Sequence, residues 1–249
     1  MKLDVLGSAG TYPIADMPSS GYLISAGNTR VLCDAGFGAF AELTRRMDPD
    51  ELDAVVLSHR HPDHCADFLA LHHALAYGPF TVRGLPVFCA PGVAVRLAEF
   101  LGAGEGHVFF EIFDFHEVGE TNHVAVGSID IRFAVSSHPV PTIASRFEAE
   151  GRSLTYSADT GPGGGFPELA AGSNVMLCEA SLQGERDEHH FVQHLTAAEP
   201  GGLARRADVD KLILTHQQPS LDRDRSRSEA VAAFGGEVAV ASPGDVYAI

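Results

Sequence analysis

Apolar residues recur along the chain with two different periods, and together they predict a fold of sheets covered by helices. Residues 2–6, 22–25, 30–33, 54–57 and 87–90 are short apolar runs with strand character. The second and third are joined by Gly27-Asn28, a turn pair suited to a hairpin. Further on, Ile129, Ile131, Phe133 and Val135 alternate with Asp130, Arg132, Ala134 and Ser136, the two-residue period of a half-buried strand. Residues 144–149 and 153–157 read as a hairpin around Glu150-Gly151-Arg152, and 175–178, 211–214, 238–240 and 246–249 as later strands. Helical periodicity marks residues 37–47, a stretch following Asp63, and residues 93–101, 196–207 and 223–234. In the fourth of these, Thr196 is placed to cap the helix and Glu199 to close a capping box. Pro200 fits the same first turn, where N–H groups lack helical partners.

Strands and helices alternate in both halves, with hairpins as well as crossovers. That pattern predicts an α/β fold in layers, and no linker breaks residues 1–249 into more than one domain. With 45% hydrophobic and 20% charged residues, the chain can bury a substantial core. Its formal charge of -16 offers no basic stripe, so no long nucleic acid is expected as a partner. Cys33, Cys65, Cys89 and Cys178 form no C-x-x-C pair, which argues against a thiolate zinc site. The start, Met1-Lys2-Leu3-Asp4, lacks a signal-peptide pattern, and no apolar run is long enough for a bilayer. A cytoplasmic protein without membrane contact is the expectation.

The chemistry concentrates in Ser58-His59-Arg60-His61-Pro62-Asp63-His64, between an apolar strand and a helical stretch. On an extended loop, residues two apart point the same way, so His59 and His61 can reach one cation. Pro62 begins a turn, and Asp63 and His64 then face a neighbouring position. His138, Asp159 and His216 each follow a predicted strand at the same end, where loops converge. Imidazole and carboxylate donors suit zinc, with manganese or iron as substitutes.

The H-x-H-x-D-H motif, with His138, Asp159 and His216 in that order, resembles the metallo-β-lactamase superfamily over residues 7–234. The resemblance implies a four-layer αββα sandwich holding two divalent metal ions. It assigns His59, His61 and His138 to one ion, Asp63, His64 and His216 to the other, and Asp159 as a bridge. A hydroxide shared by the two ions would be the nucleophile.

Several segments are similar to the ribonuclease Z-like branch: Pro18-Ser19-Ser20-Gly21-Tyr22, Ser157-Ala158-Asp159-Thr160-Gly161, Cys178-Glu179-Ala180-Ser181 and His194-Leu195-Thr196-Ala197. In that branch the histidine of the last segment contacts the scissile phosphate and protonates the leaving oxygen. His194 therefore becomes the expected acid, with Glu179 orienting a neighbouring histidine. Ser8, Thr11, Ser19 and Ser20 are candidate donors to phosphate oxygens, with turn chemistry as the equal alternative. The tRNA-processing members carry a long arm between the positions of His138 and Asp159, which here are 21 apart. That spacing disfavours tRNA maturation. What remains resembles the small atypical cyclic-nucleotide phosphodiesterases, which share the Cys65 variant of the motif. The implied activity is hydrolysis of a small phosphodiester, possible alternatives being a lactone, thioester or β-lactam. Relatives often pair, so a homodimer is a mild expectation. His72, His73 and Cys65 read as structural, and His189-His190 as part of a solvated acidic loop.

Overall fold

The computed structural model describes residues 1–190 and 193–249. The strands are β1 (Lys2–Gly7), β2 (Gly21–Ala26), β3 (Thr29–Ala35), β4 (Ala54–Leu57), β5 (Leu85–Cys89), β6 (Phe113–Glu117) and β7 (His123–Val126). They continue with β8 (Ile129–Val135), β9 (Ile143–Ala149), β10 (Arg152–Tyr156), β11 (Val175–Glu179), β12 (Lys211–Thr215), β13 (Glu237–Val240) and β14 (Val246–Ala248). The helices are α1 (Ala39–Thr44), α2 (Pro62–Cys65), α3 (Phe68–Tyr77), α4 (Val93–Leu101), α5 (Phe109–Ile112), α6 (Phe166–Ala170), α7 (Ala198–Arg206) and α8 (Arg223–Phe234).

Two sheets form, ordered β14-β1-β2-β3-β4-β5-β6 and β13-β12-β11-β10-β9-β8-β7. The first sheet runs in that order from antiparallel to parallel pairings, and the second from parallel to antiparallel. The halves of the chain thus repeat one topology, with β14 returning from the C-terminal end to edge the first sheet. Side-chain alternation explains the layering. Val175, Leu177 and Ile213 point into the core shared with the first sheet. Met176, Cys178, Leu212 and Leu214 point the other way, onto a second core closed by α6, α7 and α8. Helices α1, α3, α4 and α5 pack their apolar residues against the first sheet. The result is the expected αββα sandwich.

Several expectations need correction. The helix read over 37–47 spans only α1, because Gly38 enters it with φ 85° and the chain turns away after Thr44. The stretch after Asp63 splits into α2 and α3. Helix α7 starts at Ala198, and only half of the capping box forms: Glu199 accepts the Thr196 N–H at 2.7 Å, while no side chain caps the helix. Strands β6 and β7 were not predicted, since their alternation is masked by exposed Asp114, His116, Glu117 and His123. Polar residues on an edge strand discourage pairing with another chain.

Candidate metal centre

The site forms at the C-terminal ends of β4, β8, β10 and β12. Buried β4 delivers the chain into an extended loop, and His61 keeps β backbone angles (φ -72°, ψ 142°). Pro62 then occupies the first turn of α2, where its missing N–H costs nothing. This switch from extended to helical backbone aims His59 and His61 one way and Asp63 and His64 another. His138, Asp159 and His216 arrive just beyond β8, β10 and β12.

Two clusters result. Ligand atoms of His59, His61, His138 and Asp159 lie within 4.8 Å of one another, and so do those of Asp63, His64 and His216. Asp159 stands between them. Its Oδ1 lies 3.0 Å from His64 Nε2 and 3.2 Å from His216 Nε2. Its Oδ2 lies 3.7 Å from His59 Nε2 and 3.9 Å from His138 Nε2. One carboxylate thus faces each cluster with a different oxygen. The seven residues expected from the sequence are brought together.

These donors fit divalent cations. His61 Nδ1 lies 3.1 Å from His59 Nε2 and 3.2 Å from His138 Nε2, so three ring nitrogens converge on one point. His64 Nε2 and Asp159 Oδ1 are buried without a hydrogen-bond partner among the described residues, despite their proximity. Buried polar atoms left unpaired are costly, and a shared cation removes that cost.

A second tier of residues fixes the tautomers. Asp34, fully buried, accepts from the Ser58 N–H at 2.7 Å, Ser58 Oγ at 2.8 Å, His64 Nδ1 at 2.8 Å and Tyr156 OH at 2.9 Å. With its Nδ1 proton committed to Asp34, His64 presents Nε2 to the site, the nitrogen that a cation would take in place of a proton. Ser181 Oγ donates to Glu179 Oε2 at 2.7 Å and accepts from His216 Nδ1 at 2.8 Å, which has the same effect on His216. His138 Nδ1 donates to the Gln193 carbonyl at 3.3 Å. The turns that carry these groups hold left-handed backbone at Asp34 (φ 57°), Ala158 (φ 52°) and His216 (φ 51°). Such angles are uncommon for side chains other than glycine and concentrate at functional sites.

Charge follows the same arrangement. Burial holds His59, His61 and His138 below the usual imidazole range, favouring the neutral, ligating form. Burial would raise Asp63 and Asp159, but the histidines around them win and hold both carboxyls well below the usual range. Burial would likewise lower His64, yet the carboxylates of Asp159, Asp63 and Asp34 hold it well above its ordinary value. Positive charge is favoured between these carboxylates.

His194 completes the rim. Its ring stacks on His216 at 5.6 Å and meets His138 edge-on at 5.5 Å between centroids. Its Nδ1 donates to Glu179 Oε1 at 3.0 Å. Glu179 has no exposure and also accepts the backbone N–H groups of Thr160, at 2.7 Å, and Leu195, at 3.3 Å. Burial lowers the His194 pKa, but the Glu179 charge and hydrogen bond raise it further, to about 9.

Other expected residues land elsewhere. Ser19 and Ser20, expected as donors to phosphate oxygens, are fully buried. Ser8 donates to the Ala241 carbonyl, and the Thr11 N–H donates to Asp63 Oδ2 at 2.8 Å. Cys65 is buried, and burial pushes its thiol up to about 12, which makes it inert. His72 packs among Phe109 and Phe113. His189 donates to the Gln183 carbonyl at 2.6 Å. The sequence reading missed Asp34, Ser181 and Tyr156. Asp34 lies inside β3, and nothing local in the sequence marks it as a buried acceptor.

Residues 29–217 match the beta-lactamase superfamily domain. Rv1339, an uncharacterized protein of Mycobacterium tuberculosis, is 35% identical over 243 residues, covering 96% of this chain and 88% of its own. The probable metallo-hydrolase YhfI of Bacillus subtilis is 29% identical over 99% of both chains. The YhfI crystal structure superposes with a TM-score of 0.87 at 27% identity, again over 99% of each. A ribonuclease Z of Mycolicibacterium paratuberculosis is 27% identical, covering 96% of this chain and 94% of its own.

Proposed function

The chain belongs to the beta-lactamase superfamily of metallo-hydrolases, and from that premise we propose that it is a dinuclear phosphodiesterase acting on a small phosphodiester. A cyclic nucleotide is the substrate we infer, and zinc the metal, with manganese or iron able to use the same donors. The observation that carries this reading is His194, a partly exposed imidazole beside both clusters, kept protonated by buried Glu179. A phosphodiester whose leaving group is a sugar alkoxide needs a proton delivered to that oxygen, and a group charged near neutral pH can deliver it.

His59, His61, His138 and Asp159 would hold one ion, and Asp63, His64, His216 and Asp159 the other. When bound, the pair supplies Lewis acidity and lowers the pKa of a water towards neutrality. Asp34 and Ser181 keep two ligand histidines in the donating tautomer, and Glu179 keeps His194 turned to the site. The 21-residue interval from His138 to Asp159 is spent on the β9–β10 hairpin, so no arm projects there to grip a tRNA. That supports a small substrate. The ribonuclease Z relative supports phosphodiester chemistry by its name.

The reading is tested with two diesters and His194→Ala. Turnover of a 3′,5′-cyclic nucleotide, which has a poor leaving group, should fall by about 10²–10⁴-fold. Bis-p-nitrophenyl phosphate leaves as a stable phenolate and should be slowed far less. Equal losses on both, with metal still bound, would remove His194 from the acid role. Lactone turnover without any diester turnover would replace the reading altogether.

A further inference from the structure

A cavity of about 550 Å³ opens beside the first cluster, between the metal loop and α4. Arg60, His61 and Pro62 form the wall it shares with the site. Leu69 of α3 and Leu97 and Phe100 of α4 supply apolar surface, and Arg96 reaches it as well. The volume suits a small ligand, and an apolar pocket with few polar groups is the usual form of such a site.

Arg60 is the informative residue. The chain has 33 acidic residues against 17 basic ones, and several arginines find carboxylates: Arg46 pairs with Glu42, Arg186 with Glu199 and Arg225 with Glu229, whereas exposed Arg60 shares the lack of one with Arg152, Arg205 and Arg206 and differs from them in lining the cavity beside the metal loop. Arg96, across the cavity, is held by Glu99 at 3.3 Å. Arg60 makes no hydrogen bond or ion pair with any described residue, although it sits between two ligand histidines. Its guanidinium offers a flat face for stacking and a fork of donors for ring acceptors. An alkyl tail would gain from Leu69, Leu97 and Phe100 but would offer Arg60 nothing. A planar heterocycle uses both.

We propose that this cavity receives the nucleobase of the phosphodiester and that Arg60 recognises the ring. The proposal rests on the phosphodiesterase reading for the attachment of ring to phosphate, and it adds where the rest of the substrate lies. Only the diester group then needs to reach the two clusters, while the base is held on the α4 side, beyond His61.

The test is calorimetry on the metal-loaded protein, with adenosine 5′-monophosphate and ribose 5-phosphate as probes. Wild type should bind the nucleotide about tenfold or more tightly than the sugar phosphate, the size expected of a stacked guanidinium and a buried ring. Arg60→Met should remove most of that advantage. Leu69→Trp, which fills the cavity from α3 and lies outside the metal loop, should remove it too. Metal content per chain and melting temperature are read for each variant. Equal affinity for the two probes in wild type, or an advantage that survives Leu69→Trp, would overturn the site. An advantage lost in Leu69→Trp but kept in Arg60→Met, with metal retained, would overturn the role of Arg60. An acyl-homoserine lactone that binds wild type and is blocked by Leu69→Trp, where the nucleotide gains nothing, would assign the cavity to an acyl chain. Failure of bis-p-nitrophenyl phosphate turnover would sink the phosphodiesterase reading separately, because nucleotide binding is measured without catalysis.

Discussion

Glu179 shows how much one buried carboxylate can organise. It receives His194, Ser181 and two backbone N–H groups while having no exposure itself, so its influence on chemistry passes through His194. Because Glu179 raises the His194 pKa to about 9, the protonated acid persists until the pH rises through that value. Glu179→Gln removes the charge, lowers that pKa, and should move the alkaline limb of the kcat–pH profile to lower pH. A limb left in place would show that another group titrates there. Asp34 is the other organising carboxylate, with four donors around it. Asp34→Asn places an amide against some of those donors and frees the His64 tautomer. Metal affinity, read by chelator competition, should fall by about 10–100-fold.

At the level of elements, the site depends on close backbone approach as much as on its ligands. A Cβ on Gly36 would lie 2.0 Å from the Asp63 carbonyl oxygen and 2.8 Å from Ser19 Cβ. Gly36→Ala must therefore displace the α2 turn that carries two ligands. It should cost about 1–3 kcal/mol in stability, as overpacking does, and lower metal content in the same preparation. Melting curves with elemental analysis check both. This crowding is illegible in the sequence, which carries no mark of what a glycine at position 36 approaches. By contrast, H-x-H-x-D-H packs four donors into six residues, and His138, Asp159 and His216 each follow a strand legible in the sequence. Asp34 stayed hidden because nothing local distinguishes a buried acceptor from a turn aspartate. The burial of Ser19 and Ser20 was hidden for the same reason: hydroxyls in a loop look exposed, and only the packed fold shows that they are not.

At the scale of the whole molecule, both clusters draw on both sheets. His59, His61, Asp63 and His64 come from the first, and His138, Asp159 and His216 from the second. Bound cations would therefore join the two halves of the sandwich. Free metal at about 100-fold over its Kd adds about 2.7 kcal/mol, or about 5–10 °C in Tm for a chain of this size. Chelation should lower Tm by about that much and abolish activity, and added zinc or manganese should restore both. An unchanged Tm after complete metal removal would mean that the apo sandwich is held by its cores alone. Among the described residues no helix is long and apolar enough to cross a membrane. The central claim is that Asp159 stands between two adjacent cations. Anomalous diffraction from crystals grown with zinc or manganese measures it directly. The account predicts two peaks about 3.5–4 Å apart, one against His59, His61 and His138 and the other against Asp63, His64 and His216. A single peak, or metal bound away from Asp159, would contradict it.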